Sequence, residues 1–364
     1  MKREGGREMR VCVAMSGGVD SSVAAVLLQE QGYELSGVNL RMFHNEDLGE
    51  SREKTCCSLA DAEDAALVAR RMGFPFYVFD FAQVFRDTVI RDFVDEYQAG
   101  RTPNPCAVCN RAVKFGALLR RVQALGHDFL ATGHYARVER DPASGRYLLK
   151  RAADRSKDQT YFLYMLTQEQ LAHTLFPLGG LHKTEVRQIA EAHGLVNARK
   201  HDSQDICFVP DGKYADFIER TVGSPSPAGP FLDREGRVLG QHKGLIRYTK
   251  GQHKGLGLST EEPLYVLEKD AASNTIRLGP DSALWSTELT AEQVNLISVP
   301  ELTAPMRVTA KTRYSQREAA ATVEALPDGC IRVVFDEPQR AITPGQAVVL
   351  YDGECVVGGG TIRG

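Results

Sequence analysis

Met15-Ser16-Gly17-Gly18-Val19-Asp20-Ser21-Ser22 is the stretch whose reading decides the fold. An apolar, β-rich run from Met9 to Met15, with Val11, Cys12 and Val13, leads into it. A helix-like run follows, with Val23, Val26 and Leu27 at i, i+3 and i+4 and a stop at Gly32. The order is strand, glycine- and serine-rich turn, helix N-terminus, and that arrangement binds phosphate. The two glycines let backbone N–H groups approach the anion, and the helix dipole favours negative charge there. Ser16, Ser21 and Ser22 supply hydroxyl donors, and Asp20 is placed to hold Mg²⁺ against the phosphates. No Lys-Ser/Thr pair closes the turn as in a Walker A loop, and the Gly-x-Gly-x-x-Gly of a dinucleotide site is absent.

Outward from this loop, strand and helix patterns alternate through the first half of the chain. Strands are predicted over Glu34 to Phe43, Phe76 to Phe81 and Phe129 to Thr132. Helices are predicted over Leu59 to Met72, Phe85 to Tyr97, Asn110 to Leu125 and Thr184 to His193. This rhythm gives an α/β fold, a doubly wound parallel sheet with the phosphate loop at its carboxyl edge. Tyr147 to Leu149 reads as a hairpin arm after the turn at Asp141 to Gly145. The pattern changes after Phe208. Pro and Gly cluster at Gly223 to Pro230, and helical periodicity gives way to short strands over Phe231 to Leu239 and Tyr265 to Leu278. Short β runs then recur: Met306 to Lys311, Ala319 to Ala325, Cys330 to Phe335, Ala347 to Tyr351 and Cys355 to Ile362. They suggest a small antiparallel barrel. The expected domains are 9–212, which binds nucleotide, a mostly-β adaptor over 213–282, and a C-terminal barrel over 283–364.

Composition bounds the function. With 364 residues, 43% apolar and 25% charged, the chain reads as a soluble protein of two or three domains. No apolar run is long enough to span a bilayer, and the charged start MKREGGREMR has no apolar segment behind it. Eight cysteines in this length are too sparse for a disulfide scaffold, so the reducing cytoplasm is the expected compartment. A net charge of −3 means that any nucleic-acid binding uses local patches. Two such patches are Arg111, Lys114, Arg120 and Arg121, and Lys243, Arg247, Lys250 and Lys254, both without acids in sequence.

The cysteines carry the second signal. Arg101 to Asn110 reads RTPNPCAVCN, a loop stiffened by two prolines with Cys109 at the expected start of the next helix. A helix N-terminus favours thiolate, and Arg111 and Lys114 lie close in sequence. Cys106-x-x-Cys109 is also half of a metal site, for which Cys56-Cys57 offers further sulfur in a poorly chelating arrangement. Cys207 lies in the polar segment Asp202 to Phe208; read alone it is a small buried hydrophobe. Cys12, Cys330 and Cys355 are read as packing residues.

The loop resembles the pyrophosphatase-type P-loop, SGGxDS, of enzymes that split ATP into AMP and pyrophosphate. SGGVDSS, GRTPNPCAVCN, ATGHYAR, KDQTYFLY, DSQDICF, GLIRYTKGQHKGLG, KTRYSQ and TPGQAVVLY occur in an order that resembles the tRNA-specific 2-thiouridylases over nearly the whole chain. The resemblance implies ATP-dependent 2-thiolation of the wobble uridine, position 34, of the tRNAs for Lys, Glu and Gln. ATP adenylates the C2 oxygen, and sulfur arrives from a sulfur-relay or cysteine desulfurase donor as a persulfide on Cys207. Cys109 is then the nucleophile that attacks this persulfide or helps hold the sulfur. The implied ATP site is Ala14, Met15, Ser16, Gly17, Gly18, Val19, Asp20 and Ser21, with Leu40 and Gly133 bordering adenine and ribose. The implied tRNA contacts are Asn104, Pro105 and Cys106 at the target base, His134, Lys157, Asp158, Gln159, Arg313, Tyr314 and Gln346, with a helix cap as an alternative for Asp158. Many family members carry Asp where this chain has Cys106. That change puts a general-base role in doubt and makes Cys106, Cys109 and Cys207 candidate ligands of a [4Fe-4S] cluster with one open iron. A small-molecule amide- or ureido-forming synthetase would use the same loop without needing these cysteines. A zinc-stabilised RNA-binding protein would not need the loop.

Overall fold

The computed structural model describes residues 8–43, 59–198, 200 and 206–363. Cys56, Cys57 and residues 202–205 of the third cysteine motif lie outside them. The chain forms two compact units, one of Met1–Val89, Cys106–Gly212 and Glu354–Val356, the other of Ile90–Pro105, Lys213–Gly353 and Val357–Gly364.

The first unit holds a parallel five-stranded sheet of β1 (Arg10–Ala14), β2 (Glu34–Arg41), β3 (Phe76–Asp80), β4 (Phe129–Thr132) and β7 (Thr174–Leu175), in the order β3-β2-β1-β4-β7. β1 is central, and its apolar residues Val11, Cys12 and Val13 are buried, as a strand covered on both faces requires. Helix α1 (Val19–Glu30) packs Val23, Ala24 and Val26 into a core shared with α6 (Lys183–Ala192), which contributes Val186 and Ala190. Gly32, at φ +80°, ends α1 by letting the chain turn back so that Tyr33 N donates to Leu28 O at 3.2 Å. The sheet order reverses about β1: β2 follows it on one side and β4 lies on the other. The loops after β1 and β4 therefore diverge from adjacent strand ends, which is the topological switch point where open α/β sheets bind ligands. Between the sheet strands lie α2 (Leu59–Met72) and a hairpin of β5 (Arg137–Arg140) and β6 (Tyr147–Lys150).

Two helices differ from expectation in a consistent way. Asp80 Oδ1 accepts from Ala82 N at 2.9 Å, so α3 starts at 82 and runs to 98, with a π-wound turn over Arg86–Ile90. Helix α4 starts at Pro105, as the missing proline N–H permits, and runs to 124 with π-winding over Asn110–Leu118. Cys106, not Cys109, therefore occupies its first turn. A short helix α5 (Gln168–Ala172) precedes β7, closed by a capping box between Thr167 and Gln170.

In the second unit, α7 (Tyr214–Val222) is an element that the sequence reading missed. It stacks Tyr214 on Tyr97 at 5.1 Å, sets Phe217 edge-on to Phe93 at 6.3 Å, and ends at Gly223 with φ +79°. A four-stranded sheet follows, built of β8 (Gly229–Leu232), β9 (Val238–His242), β10 (Tyr265–Asp270) and β11 (Thr275–Gly279) around Phe231, Val266 and Ile276. The C-terminal antiparallel barrel orders its strands β12 (Trp285–Leu296), β15 (Ile331–Arg340), β14 (Ala319–Ala325), β13 (Met306–Lys311), β16 (Ala347–Asp352) and β17 (Cys355–Ile362). Pairing of β12 with β17 closes it. The long strand β12 was not expected, because Ser, Thr, Glu and Gln dominate it. It is held instead by pairing on both edges, with irregular register at each.

Candidate active site

The phosphate loop begins where β1 ends. Ala14 pairs in register with Val38 of β2 and Thr132 of β4, so Leu40 and Gly133 lie just beyond it at the same carboxyl edge. Gly17 has φ +75°, and a Cβ there would sit 2.3 Å from the carbonyl oxygen of Asp61 in α2, so only glycine fits. Gly133 is required for a different reason: its Cβ would lie 2.7 Å from the backbone of Asp20 and Ser21. The chain after β4 thus runs directly against the start of α1. Val19 and Met15 are buried and fix the loop to the core, and Asn39 Nδ2 donates to Met15 O at 2.8 Å.

Two of the three loop hydroxyls are turned inward. Ser21 Oγ and Ser22 Oγ donate to Gly18 O at 3.1 and 3.2 Å, and Ser21 Oγ accepts from Ser16 N at 3.3 Å. They shape the turn, and Ser16 alone keeps an exposed side chain. Asn197 clamps the same turn, its Nδ2 donating to Gly17 O at 3.0 Å and Ser22 Oγ at 2.9 Å, while its Oδ1 is buried without a partner. An orphaned buried acceptor beside the loop is a group that a bound ligand or water completes. Lys200 Nζ bridges Asp61 at 2.5 Å and Asp64 at 2.8 Å and reaches Gly17 O at 3.4 Å.

Asp20 is engaged. Its carboxylate accepts from Tyr135 OH at 2.9 Å and from Lys183 Nζ at 2.7 and 2.8 Å. Lys183 is buried at the first turn of α6 and lies 5.7 Å from the centroid of the Tyr135 ring. Tyr135 is positioned in turn by Gln159, whose Oε1 accepts from Tyr135 N at 2.9 Å and whose own N donates to Tyr135 O at 2.9 Å. The chain Gln159–Tyr135–Asp20–Lys183 links two loop segments to the first turns of α1 and α6 around the phosphate turn. Sequence reasoning named Asp20 and Gln159 but missed Tyr135 and Lys183. One signal was available for Lys183: a cation at a helix N-terminus opposes the dipole and needs a reason to be there.

The segment after β4 holds His134, its Nδ1 2.6 Å from Thr132 Oγ1 and its ring 5.9 Å from both Phe115 and Phe176. Burial, and then the charge of Lys114, hold its pKa well below the usual histidine value, so it is neutral at neutral pH. Asp158 is buried, and its oxygens accept from Ala152 N at 2.9 Å and Thr160 Oγ1 at 2.6 Å. These bonds brace the segment from 152 to 160 and are not a helix cap, since the short helix Thr160–Phe162 has Gln159 at its N-cap and no side-chain cap bond.

The thiols differ sharply. Cys106 is exposed, Cys109 is buried and Cys207 is half-buried, and none is in a disulfide. Cys109 Sγ lies 3.9 Å from Met42 Sδ. The thiolate expected from a helix N-terminus is not found. Cys109 sits one turn inside α4, and burial pushes its pKa up to about 11, against a lowering by Lys114 and reinforced by Cys106. Among the described residues no three His, Cys, Asp or Glu side chains gather to hold a metal ion. Cys106, Cys109 and Cys207 thus form no ready iron–sulfur or zinc site. Asp20, engaged by Lys183, is likewise a single carboxylate rather than a preformed Mg²⁺ cage.

The second unit carries the other named residues. Arg313 Nη2 donates to Ala341 O at 2.8 Å and Thr343 Oγ1 at 2.7 Å, whereas Tyr314 is exposed beneath Lys311, 5.9 Å from its ring centroid. Gln346 Nε2 donates to Thr102 O and Pro103 O, both at 3.0 Å. The basic run is less free than its sequence implied. Arg247 pairs with Asp216 at 3.2 Å and Glu219 at 2.7 Å, acids supplied by α7. Lys250 is partly desolvated, which lowers its pKa. Lys243 and Lys254 are exposed. Among the described residues no helix is long and apolar enough to cross a membrane.

Three family models match the chain: a tRNA methyl transferase HUP domain over residues 9–211, a tRNA methyl transferase PRC-barrel domain over 215–280 and an aminomethyltransferase β-barrel domain over 286–362. The tRNA-specific 2-thiouridylase MnmA of Acetivibrio thermocellus is 51% identical over 356 residues, 97% of this chain and 99% of that protein. The protein of the same name from Clostridioides difficile is 49% identical over 97% of this chain and 98% of its own length. That of Symbiobacterium thermophilum is 50% identical over 100% of this chain and 94% of its own.

Proposed function

The chain belongs to the tRNA-specific 2-thiouridylase family, and on that premise we propose that it thiolates C2 of the wobble uridine, position 34, through adenylation and a cysteine persulfide. The family relationship carries the coarse activity, ATP-dependent thiolation of a tRNA uridine. The observation that carries the finer reading is a phosphate loop at the sheet's switch point, in a chain that also supplies the unbridged thiols Cys106, Cys109 and Cys207. The three-part division at 212 and 282 is part of the same proposal.

The C2 oxygen of uracil is a poor leaving group. Attack of that oxygen on the α-phosphorus of ATP expels pyrophosphate and leaves C2 bonded to a good leaving group, AMP. The loop from Ala14 to Ser21 cradles the phosphates by its backbone, Leu40 and Gly133 border the nucleoside, and Lys183 beside Asp20 supplies fixed positive charge. Mg²⁺ bound with the nucleotide, held by Asp20, would neutralise charge developing on the phosphates. Cys109, once deprotonated, attacks Sγ of the Cys207 persulfide. A Cys109–Cys207 disulfide forms and the outer sulfur leaves as sulfide. Sulfide attacks C2, AMP departs, and a thiol reductant must then reopen the disulfide with two electrons. The persulfide itself comes from a donor protein of the relay or desulfurase type. The tRNAs for Lys, Glu and Gln are the proposed substrates, Tyr314 and neutral His134 the proposed base-stacking groups, and Asn104, Pro105, Cys106 and Lys157 further tRNA contacts.

The direct test incubates the protein with ATP, a persulfide donor and unmodified tRNA, followed by nucleoside mass spectrometry and assay of pyrophosphate. The proposal requires 2-thiouridine at position 34 with one AMP and one pyrophosphate per sulfur; ADP and phosphate as products reject the loop reading. The RNA surface has its own test. Lys243→Ala with Lys254→Ala weakens tRNA binding and lowers the slope of log affinity against log salt by about 0.7–0.9 for each lost phosphate contact. An unchanged slope returns these two lysines to an ordinary solvated surface.

A further inference from the structure

The family resemblance assigns Gln346 to tRNA, yet its side chain is spent on the protein. Nε2 donates to two consecutive carbonyls, Thr102 O and Pro103 O, both at 3.0 Å. The loop that it holds ends at Pro105, directly before Cys106 and four residues before Cys109. Pro103 and Pro105 carry no N–H, so this loop has few donors of its own. An amide NH₂ with two protons is the side chain that can satisfy two adjacent carbonyls at once.

The rest of the turn is built around the same contact. Thr102 N donates to Pro344 O at 2.8 Å, which makes a third bond between the loop and the Thr343-Pro344-Gly345-Gln346 turn. Gly345, at φ +87°, passes so close that a Cβ there would lie 2.9 Å from Arg101 Cβ and from Thr102 N and O. The turn is braced from behind, because Arg313 Nη2 donates to Thr343 Oγ1 at 2.7 Å and Ile362 N donates to Gln346 O at 2.8 Å. On the other side Arg101 pairs with Glu96. We infer that Gln346 is a positioning residue: it fixes the loop from 101 to 105, the segment that leads directly into Cys106, rather than serving first as a tRNA contact.

This inference rests on the thiolation reading for its kinetic consequence but not for its structural one, and the experiment separates them. Gln346→Met and Gln346→Glu each keep the length of the side chain and remove both donors. In the free protein, without tRNA or ATP, iodoacetamide labelling of Cys106 read by mass spectrometry should accelerate several-fold. In turnover, kcat for 2-thiouridine should fall by about ten- to a hundredfold while KM for tRNA stays within about twofold, the signature of lost alignment. A raised KM with unchanged kcat and unchanged labelling overturns the inference in favour of direct tRNA contact. If both variants unfold on a thermal melt, hydrogen exchange on the wild-type protein decides. The Thr102 amide should be protected, and rapid exchange there overturns the clamp. Wild-type protein that makes no 2-thiouridine sinks the thiolation reading, while labelling and exchange still judge the clamp.

Discussion

Cys109→Ser and Cys207→Ser should each lower 2-thiouridine formation by at least about a thousandfold, since each removes an atom that makes or breaks a bond. Pyrophosphate release should persist in both, because adenylation precedes sulfur transfer. Cys12→Ser, Cys330→Ser and Cys355→Ser should retain thiolation. The resting structure adds a pH signature. Burial holds the Cys109 thiol up at about 11, so in the free protein it is protonated at neutral pH and shielded from reagents. Alkylation of Cys109 should lag that of exposed Cys106 and rise about tenfold per pH unit toward that value. Because the folded protein keeps this proton to higher pH than the unfolded chain, the group adds stability below about pH 9. That contribution is lost as pH rises through about 11. The thiol must be uncovered before it reacts, so adding tRNA and ATP should speed its labelling. Normal 2-thiouridine output from Cys207→Ser would remove the persulfide role. Fast, pH-independent labelling of Cys109 in the free protein would remove the buried-thiol account.

The parts of this protein legible in sequence were those set by local rules. The phosphate loop could be read because a positive φ at Gly17 and a helix start at Val19 are local demands on residue type. The barrel strands over Met306–Lys311, Ala319–Ala325 and Cys355–Ile362 were legible from apolar runs bounded by turns. What could not be read was set by partners distant in the chain. Lys183 is 163 residues from Asp20, and nothing in either neighbourhood announces the other. The run from Lys243 to Lys254 looked free of acids because Asp216 and Glu219 approach Arg247 from a helix that had not been foreseen. Cys109 shows the same limit. The two prolines before it point to a helix start at Cys109, but the helix begins on Pro105, four residues earlier, and burial then outweighs any help from the dipole. Helix-start chemistry was available in sequence; burial was not.

Lys183→Met should abolish pyrophosphate release by about a hundred- to a thousandfold, the range seen when a fixed charge is removed from a developing anion. Asp20→Asn should do the same. The two residues make an ion pair at 2.7 Å whose side chains are 11% and 29% exposed, so a purely structural explanation must also be met. Breaking the pair costs stability, about 1–2 kcal/mol once the partial exposure of Asp20 is allowed for. A double variant distinguishes the roles. Asp20→Asn with Lys183→Met leaves no unpaired charge, and its melting temperature should recover most of what either single change loses. If the pair only holds loops together, activity recovers with it. If Lys183 and Asp20 act on ATP and its Mg²⁺, the double variant is stable and still fails to adenylate. Tyr135→Phe sharpens the comparison, since it deletes only the 2.9 Å hydrogen bond to Asp20 and leaves the charges in place. It should cost about tenfold or less. Recovery of pyrophosphate release in the double variant would assign the pair to structure and leave the backbone of the loop to handle the phosphates alone.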